Sequence, residues 1–197
     1  VAHERNKGVG AAFRTGFQAS RHAVVGYIDG DNQYDAEDFT LLAGAIVEKA
    51  DMASGRRVRR ADPPSRRIVS HAFNWLLRKI YGTPLFDTNS GIKLYKRGLL
   101  ETAWPLMSSR AFFDAEILIK ATHAGLQAVE VPVTHQPRRH GRALGVSPAN
   151  LRDAMTGLSD GQWKGYARPD FSSRALRHAA SLLRRILSPA QRRNAAR

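Results

Sequence analysis

The sequence predicts an α/β protein, a sheet covered by helices on both faces, followed by a basic helical tail. Short apolar runs alternate with helix-period segments through the first 135 residues. The 197 residues are 43% hydrophobic and 24% charged, enough to bury a core and too apolar for general disorder. Beyond residue 137 the pattern changes to basic, turn-rich sequence.

Residues 9–21 read as a helix, and Ala23 to Ile28 as a buried strand ending in Asp29-Gly30-Asp31. Asp35 is a suitable N-cap for a helix over 36–49, with Ala36, Phe39, Leu42, Ala43, Ile46 and Val47 on one face. A strand near Met52–Ser54 runs into Gly55 and a basic loop, Arg56–Arg67, broken by Pro63-Pro64. A helix over 66–80 follows, with Ile68, Phe73, Trp75, Leu76 and Ile80 as apolar contacts. Thr83–Gly91 reads as a turn region and Ile92–Tyr95 as a strand. Residues 113–124 form a helix stopped by Gly125, and Ala128–Val133 a last strand. Residues 151–172 are ambiguous, and 173–187 read as a basic amphipathic helix, with Leu176, Leu182 and Ile186 opposite Arg174, Arg177 and Arg185.

Composition removes several classes of function. With no cysteine there are no disulfides, thiolate nucleophiles or Cys-ligated zinc. The seven histidines lack metal-ligand spacing, no nucleophile elbow is present, and no apolar run is long enough to span a bilayer. The chain opens on Val1 with no signal-peptide pattern, which suggests a fragment of a longer protein. The formal charge of +14 points to an anionic partner. Residues 151–197 hold 10 basic and 3 acidic residues, so the tail carries half of that excess. Nucleic acid is the weaker candidate, because the basic stretches lack interleaved aromatics.

Four constellations could carry chemistry. Asp29 and Asp31 at a strand end can share a hard divalent cation, and Gly30 between them allows close approach; the same spacing also serves a solvated turn. Asn6-Lys7-Gly8-Val9-Gly10 precedes a helix, as a phosphate-cradling loop does and as a plain helix N-terminus does. Asp87-Thr88-Asn89-Ser90-Gly91 suits a tight turn. Arg56, Arg66, Arg67, Arg138, Arg139 and Arg142 offer forks for phosphate oxygens, or a solvated surface.

Their order along the chain is specific. Asn6-x-Gly8-x-Gly10-Ala11 with Gly16-Phe17, Asp29-Gly30-Asp31-x-Gln33, Gly55-Arg56, Arg66/Arg67 with Ser70, Asp87-x-x-Ser90-Gly91, Phe113-x-x-Glu116, Glu130-Val131-Pro132-Val133 and Arg138-x-x-Gly141 together resemble a family 2 glycosyltransferase. The match is to its polyprenyl-phosphate (dolichol-phosphate mannose synthase-like) branch and covers about residues 3–147.

The resemblance implies a GT-A (Rossmann-like), mostly parallel sheet over residues 1–147; the basic helical tail over 148–197 suits either an anionic membrane surface or packing of its leucine face on the domain. The resemblance implies inverting transfer of a sugar from a nucleotide-sugar donor to a polyprenyl phosphate acceptor, at an anionic membrane surface on its cytoplasmic, inner face. Asp29, Asp31 and Gln33 then hold Mg²⁺ or Mn²⁺, with Asn6, Gly8 and Gly10 on the donor side. Arg56, Arg66, Arg67 and Arg138 form the acceptor-phosphate clamp, and Asp87 with Asp31 is catalytic, Asp87 as a base or sugar-hydroxyl contact. Two departures stand out. The family's first strand–helix–strand unit, which holds the nucleotide base, is missing, and the usual Gly-x-Ser-Lys ending reads Gly145-Val146-Ser147-Pro148. The alternatives are transfer to a cell-wall or exopolysaccharide sugar, which needs Asp87 as base, and a non-catalytic basic lipid-binding remnant.

Overall fold

The computed structural model describes residues 2–60, 62–108, 110–138, 164–170 and 181. The chain runs α1 (Val9–Ala19), β1 (Val24–Ile28), α2 (Asp38–Val47), β2 (Met52–Arg57), α3 (Pro64–Tyr81), β3 (Ile92–Lys96), α4 (Arg97–Ala103), α5 (Phe113–His123) and β4 (Ala128–Val133), with a 3₁₀ turn at Lys164–Tyr166. The expected tail helix 173–187, Arg139, Arg142 and the Gly145–Pro148 segment lie outside the described residues.

The four strands lie in the order β1-β3-β2-β4. β1 and β2 both pair antiparallel with β3, whereas β2 and β4 run parallel, from Met52 opposite Ala128 to Arg57 opposite Val133. Three strands therefore share one direction. The sheet is mixed rather than wholly parallel, because β3 returns between β1 and β2.

Strand alternation sorts side chains between two apolar layers. Ala53, Ile92, Leu94 and Val133 pack with Tyr34 and with Leu42 and Ile46 of α2. Val25, Met52, Tyr95 and Ala128 meet Phe13 and Phe17 of α1, Leu99 and Leu100 of α4, and Phe113, Ile117 and Leu118 of α5. Helices thus cover both faces, as the sequence predicts.

Local differences have local causes. α2 starts at Asp38 rather than 36, since the Asp35 carboxylate accepts the Glu37 N–H at 3.0 Å and closes a turn instead of capping the helix. α3 starts at Pro64, whose fixed φ suits the first helical position, and stops at Gly82 in the left-handed region (φ 71°). Ile68 and Trp75, expected as core contacts of α3, are 63% and 48% exposed; Leu76 and Ile80 face inward as expected, joined by Leu77. Val47 is likewise exposed at the end of α2. α4, only seven residues long, is absent from the sequence reading.

Candidate functional site

The site gathers where β1, β2 and β4 end, around the turn Asp87–Gly91. Asp87, Thr88 and Ser90 are buried, and the turn is fastened on every side. Thr88 N–H donates to Asn74 Oδ1 of α3 at 2.9 Å, and Gly91 N–H to the Tyr34 hydroxyl at 2.9 Å. Glu130 of β4 accepts the Phe86 and Asp87 N–H groups at 2.7 and 2.6 Å. Asp29 N–H donates to the Gly91 carbonyl at 2.7 Å. A Cβ at Gly91 would lie 2.2 Å from Asp29 Oδ2, so only glycine lets the two segments approach.

Asp29 follows the last residue of β1 and accepts a hydrogen bond from Tyr27. Burial, then the neighbouring Asp114 and Asp29 carboxylates, push the Tyr27 phenol far up, so it stays a donor. Asp31 meets Arg138 Nη2 at 2.5 Å across 107 residues of sequence. That pairing brings a predicted metal-binding acid against a predicted phosphate-binding arginine. Gln33 is buried; its Nε2 donates to the Gln136 carbonyl at 3.0 Å, and its own carbonyl accepts the Gln136 N–H at 2.8 Å. These bonds tie the segment after β4 over the Asp29–Gln33 loop.

Asp87 is held by an arginine that the sequence reading passed over. Arg57 Nε and Nη2 reach its two carboxylate oxygens at 2.7 and 2.6 Å, and the Arg57 N–H adds a third bond at 3.2 Å. Burial alone raises the Asp87 carboxyl, but the Arg57 hydrogen bonds and charge, with Arg60 beside them, outweigh it and hold the pKa below the usual aspartate range. Asp62 links Arg60 at 2.9 Å, Arg66 at 3.0 Å and Arg57 at 3.6 Å. Arg66 is thereby anchored at the start of α3, whereas Arg67 is exposed on the same helix. Arg56 points the other way from Arg57, toward Glu130 at 3.8 Å and over the Phe86 ring at 5.3 Å.

The Asn6–Gly10 loop is held by a hydrogen bond of its own. Asn6 Oδ1 accepts the Gly8 N–H at 2.9 Å and leads into α1, which reaches the site through Phe13 stacked edge-on against Tyr27. Glu116 is fully buried and accepts the Met107 and Ser108 N–H groups at 2.8 and 2.9 Å, with Lys120 at 3.0 Å, so it builds the loop before α5.

Two carboxylates supply hard oxygen donors of the kind Mg²⁺ and Mn²⁺ prefer. Among the described residues no cluster of three or more acidic or histidine side chains could hold a metal by itself. A cation at Asp29 and Asp31 would therefore share its coordination with a ligand or water.

Residues 1–104 match the model of glycosyl transferase family 2, and the chain belongs to that family. Its curated relatives include a polyprenol monophosphomannose synthase of Mycolicibacterium smegmatis, 30% identical over 79% of this chain and 62% of the relative. A dodecaprenyl-phosphate galacturonate synthase of Rhizobium johnstonii is 28% identical over 72% of this chain and 42% of its own length. An uncharacterized glycosyltransferase of Mycobacterium tuberculosis is 29% identical over 83% of the chain and 74% of the relative. Among solved structures, glucosyl-3-phosphoglycerate synthase of Mycobacterium tuberculosis, in complex with Mn²⁺, UDP-glucose and glycerol 3-phosphate, superposes with a TM-score of 0.61. That likeness has 19% identity and covers 78% of this chain and 55% of that one, and it shows the GT-A-like fold.

Proposed function

We propose that the chain carries the acceptor side and the metal-binding acids of an inverting enzyme that moves a sugar from a nucleotide diphosphate to a polyprenyl phosphate. The observation that carries the reading is the 2.5 Å contact between Asp31 and Arg138. It puts the residues expected for donor metal and acceptor phosphate in one place, as direct transfer between the two requires. Relatives named for polyprenyl-phosphate products support the acceptor, and the Mn²⁺ and UDP-glucose of the structural neighbour support the donor and the metal.

In this reading Asp29 and Asp31 hold Mg²⁺ or Mn²⁺, with the Gln33 side-chain oxygen beside them. The ion, when bound, neutralises charge on the departing diphosphate. Asn6, Gly8 and Gly10 belong to the donor side. Arg138, Arg66, Arg67 and Arg56 gather the acceptor phosphate and offset its charge. A phosphate is already an anion at neutral pH and needs no strong base. The ionised, doubly bonded Asp87 fits that economy: it positions Arg57 and the site turn.

A membrane surface fits the outside of α3. Its sequence, PSRRIVSHAFNWLLRKIY, has four cations and no acid, and it exposes Ile68 and Trp75. No helix among the described residues is long and apolar enough to cross a membrane. We place the chain peripherally on an anionic, cytoplasmic-side bilayer.

The test is transfer of labelled sugar from GDP-, UDP- and dTDP-sugars to polyprenyl phosphate by the full-length protein. Asp31→Ala should lower turnover at least about 100-fold, and Arg138→Ala should raise the acceptor KM about 10-fold or more. A second reading, transfer to a sugar hydroxyl, requires deprotonation by Asp87. Greater loss from Asp87→Asn than from Arg138→Ala, with a sugar acceptor the better substrate, would decide for it.

A further inference from the structure

Beneath Asp29 lies a buried cation that neither donor nor acceptor binding calls for. Lys93 of β3 has no exposed surface, and its Nζ sits 3.0 Å from Asp114 Oδ1 of α5. It also donates to the Ser90 carbonyl in the site turn. The same ammonium stands 5.6 Å from the centroid of the Tyr27 ring, on the path between α5 and β1. Tyr27 in turn donates to Asp29 Oδ1 and is wedged edge-on between Phe13 and Phe113.

A lysine buried this completely costs several kcal/mol in lost hydration, and an apolar pair of similar size would ordinarily serve packing as well or better. Its place therefore calls for a reason other than stability. A cation over the face of a phenol ring draws electron density from it and makes its hydroxyl a better donor. Among the described residues that hydroxyl donates to the carboxylate of Asp29, whose other oxygen lies against Gly91.

We infer that Lys93, held by Asp114, is a positioning residue that acts through Tyr27 to fix the Asp29 carboxylate in the orientation a divalent cation needs. The relay has three parts. Asp114 and the Ser90 carbonyl set the ammonium, the ammonium polarises and props the Tyr27 ring, and the Tyr27 hydroxyl holds Asp29. Neither Lys93 nor Asp114 touches a substrate in this scheme. The inference rests on the reading of Asp29 as a metal ligand and extends it one layer inward, where outer partners commonly tune a metal site.

The experiment measures Mn²⁺ binding to the full-length protein in the presence of UDP or GDP, from the electron paramagnetic resonance signal of free Mn²⁺. Tyr27→Phe keeps the ring and removes the hydroxyl, and should weaken Mn²⁺ binding roughly 10-fold. The paired change Lys93→Met with Asp114→Leu leaves no stranded charge and should weaken it to a similar degree, with the thermal midpoint held or raised. Adding Tyr27→Phe to that pair should weaken binding no further, because all three act along one path. Independent, multiplying losses would overturn the relay, as would a paired variant that shifts only the melting temperature. Unchanged Mn²⁺ binding in Asp29→Ala would remove the relay's target and overturn it too. Loss of sugar transfer to every polyprenyl phosphate, with the Mn²⁺ pattern intact, would count against the proposed acceptor and leave the relay standing.

Discussion

At the scale of single residues, the sharpest constraint is Gly91. A methyl there would sit 2.2 Å from Asp29 Oδ2, so Gly91→Ala must push the carboxylate or the turn aside. Overpacking of this kind costs about 1–3 kcal/mol, measurable by urea unfolding, and sugar transfer should fall at least 10-fold because Asp29 is displaced. A Cβ at Gly30 meets nothing within 4 Å, so Gly30→Ala should leave stability within about 0.5 kcal/mol. The two glycines look alike in sequence. Each belongs to a short motif that contains an acid, but only the fold reveals that Gly91 carries the packing constraint.

Arg56 and Arg57 repeat this lesson. They are consecutive on a strand and therefore face opposite ways. One reaches Glu130 and Phe86, and the other closes on Asp87. Which of the two turns toward Asp87 depends on the pairing of β2 with its neighbours, a long-range fact that a motif does not contain. Asp29, Asp31 and Arg138, by contrast, were legible as an ordered set, and the fold joins Asp31 to Arg138. Lys93 and Asp114 were not legible, because a lone lysine in a strand reads as an exposed position.

At the scale of elements, helices and strands with strong apolar periodicity were found in place, while boundaries and short pieces were not. α4 is too brief to show a period, and its Leu99 and Leu100 owe their burial to the sheet and α5. α3 shows the limit of reading apolar residues as core, since Ile68 and Trp75 occupy its open side. Ile68→Glu with Trp75→Glu should leave the fold within about 1 kcal/mol, these being exposed positions. The same pair should reduce flotation with vesicles containing anionic phosphatidylglycerol at least several-fold, and charge attraction of roughly 1 kcal/mol per basic residue near the surface makes the binding salt-sensitive. Flotation equal to that of the unaltered protein would remove α3 from the membrane face.

At the scale of the whole molecule, charge is arranged in two opposed ways. Asp87 and Asp62 have lowered pKa values, despite burial, because arginines pair with them. Their contribution to stability is present above the ordinary carboxylate range and fades as pH falls through their folded values. Burial pushes Asp114 up to about 6 against the pull of Lys93, so the folded chain takes up this proton before the unfolded chain does. Its contribution grows as pH falls from about 6 toward 4 and is lost as pH rises through 6. Urea midpoints measured from pH 3 to 8 should therefore show Asp114→Asn flattening the region between 4 and 6. Asp87→Asn should flatten only the steeper acid limb below it.

The turn Asp87–Gly91 has a kinetic consequence. Its fastenings come from residues 14 to 62 positions away in the chain, so no local segment can close it alone. Contacts of such long range form only after the entropy of closing large loops has been met, which puts them late in folding. A partly folded chain would contain every residue of the site and none of its geometry. Ligand binding here then serves as a readout of completed folding, and a nascent or damaged copy stays silent until β4 has docked.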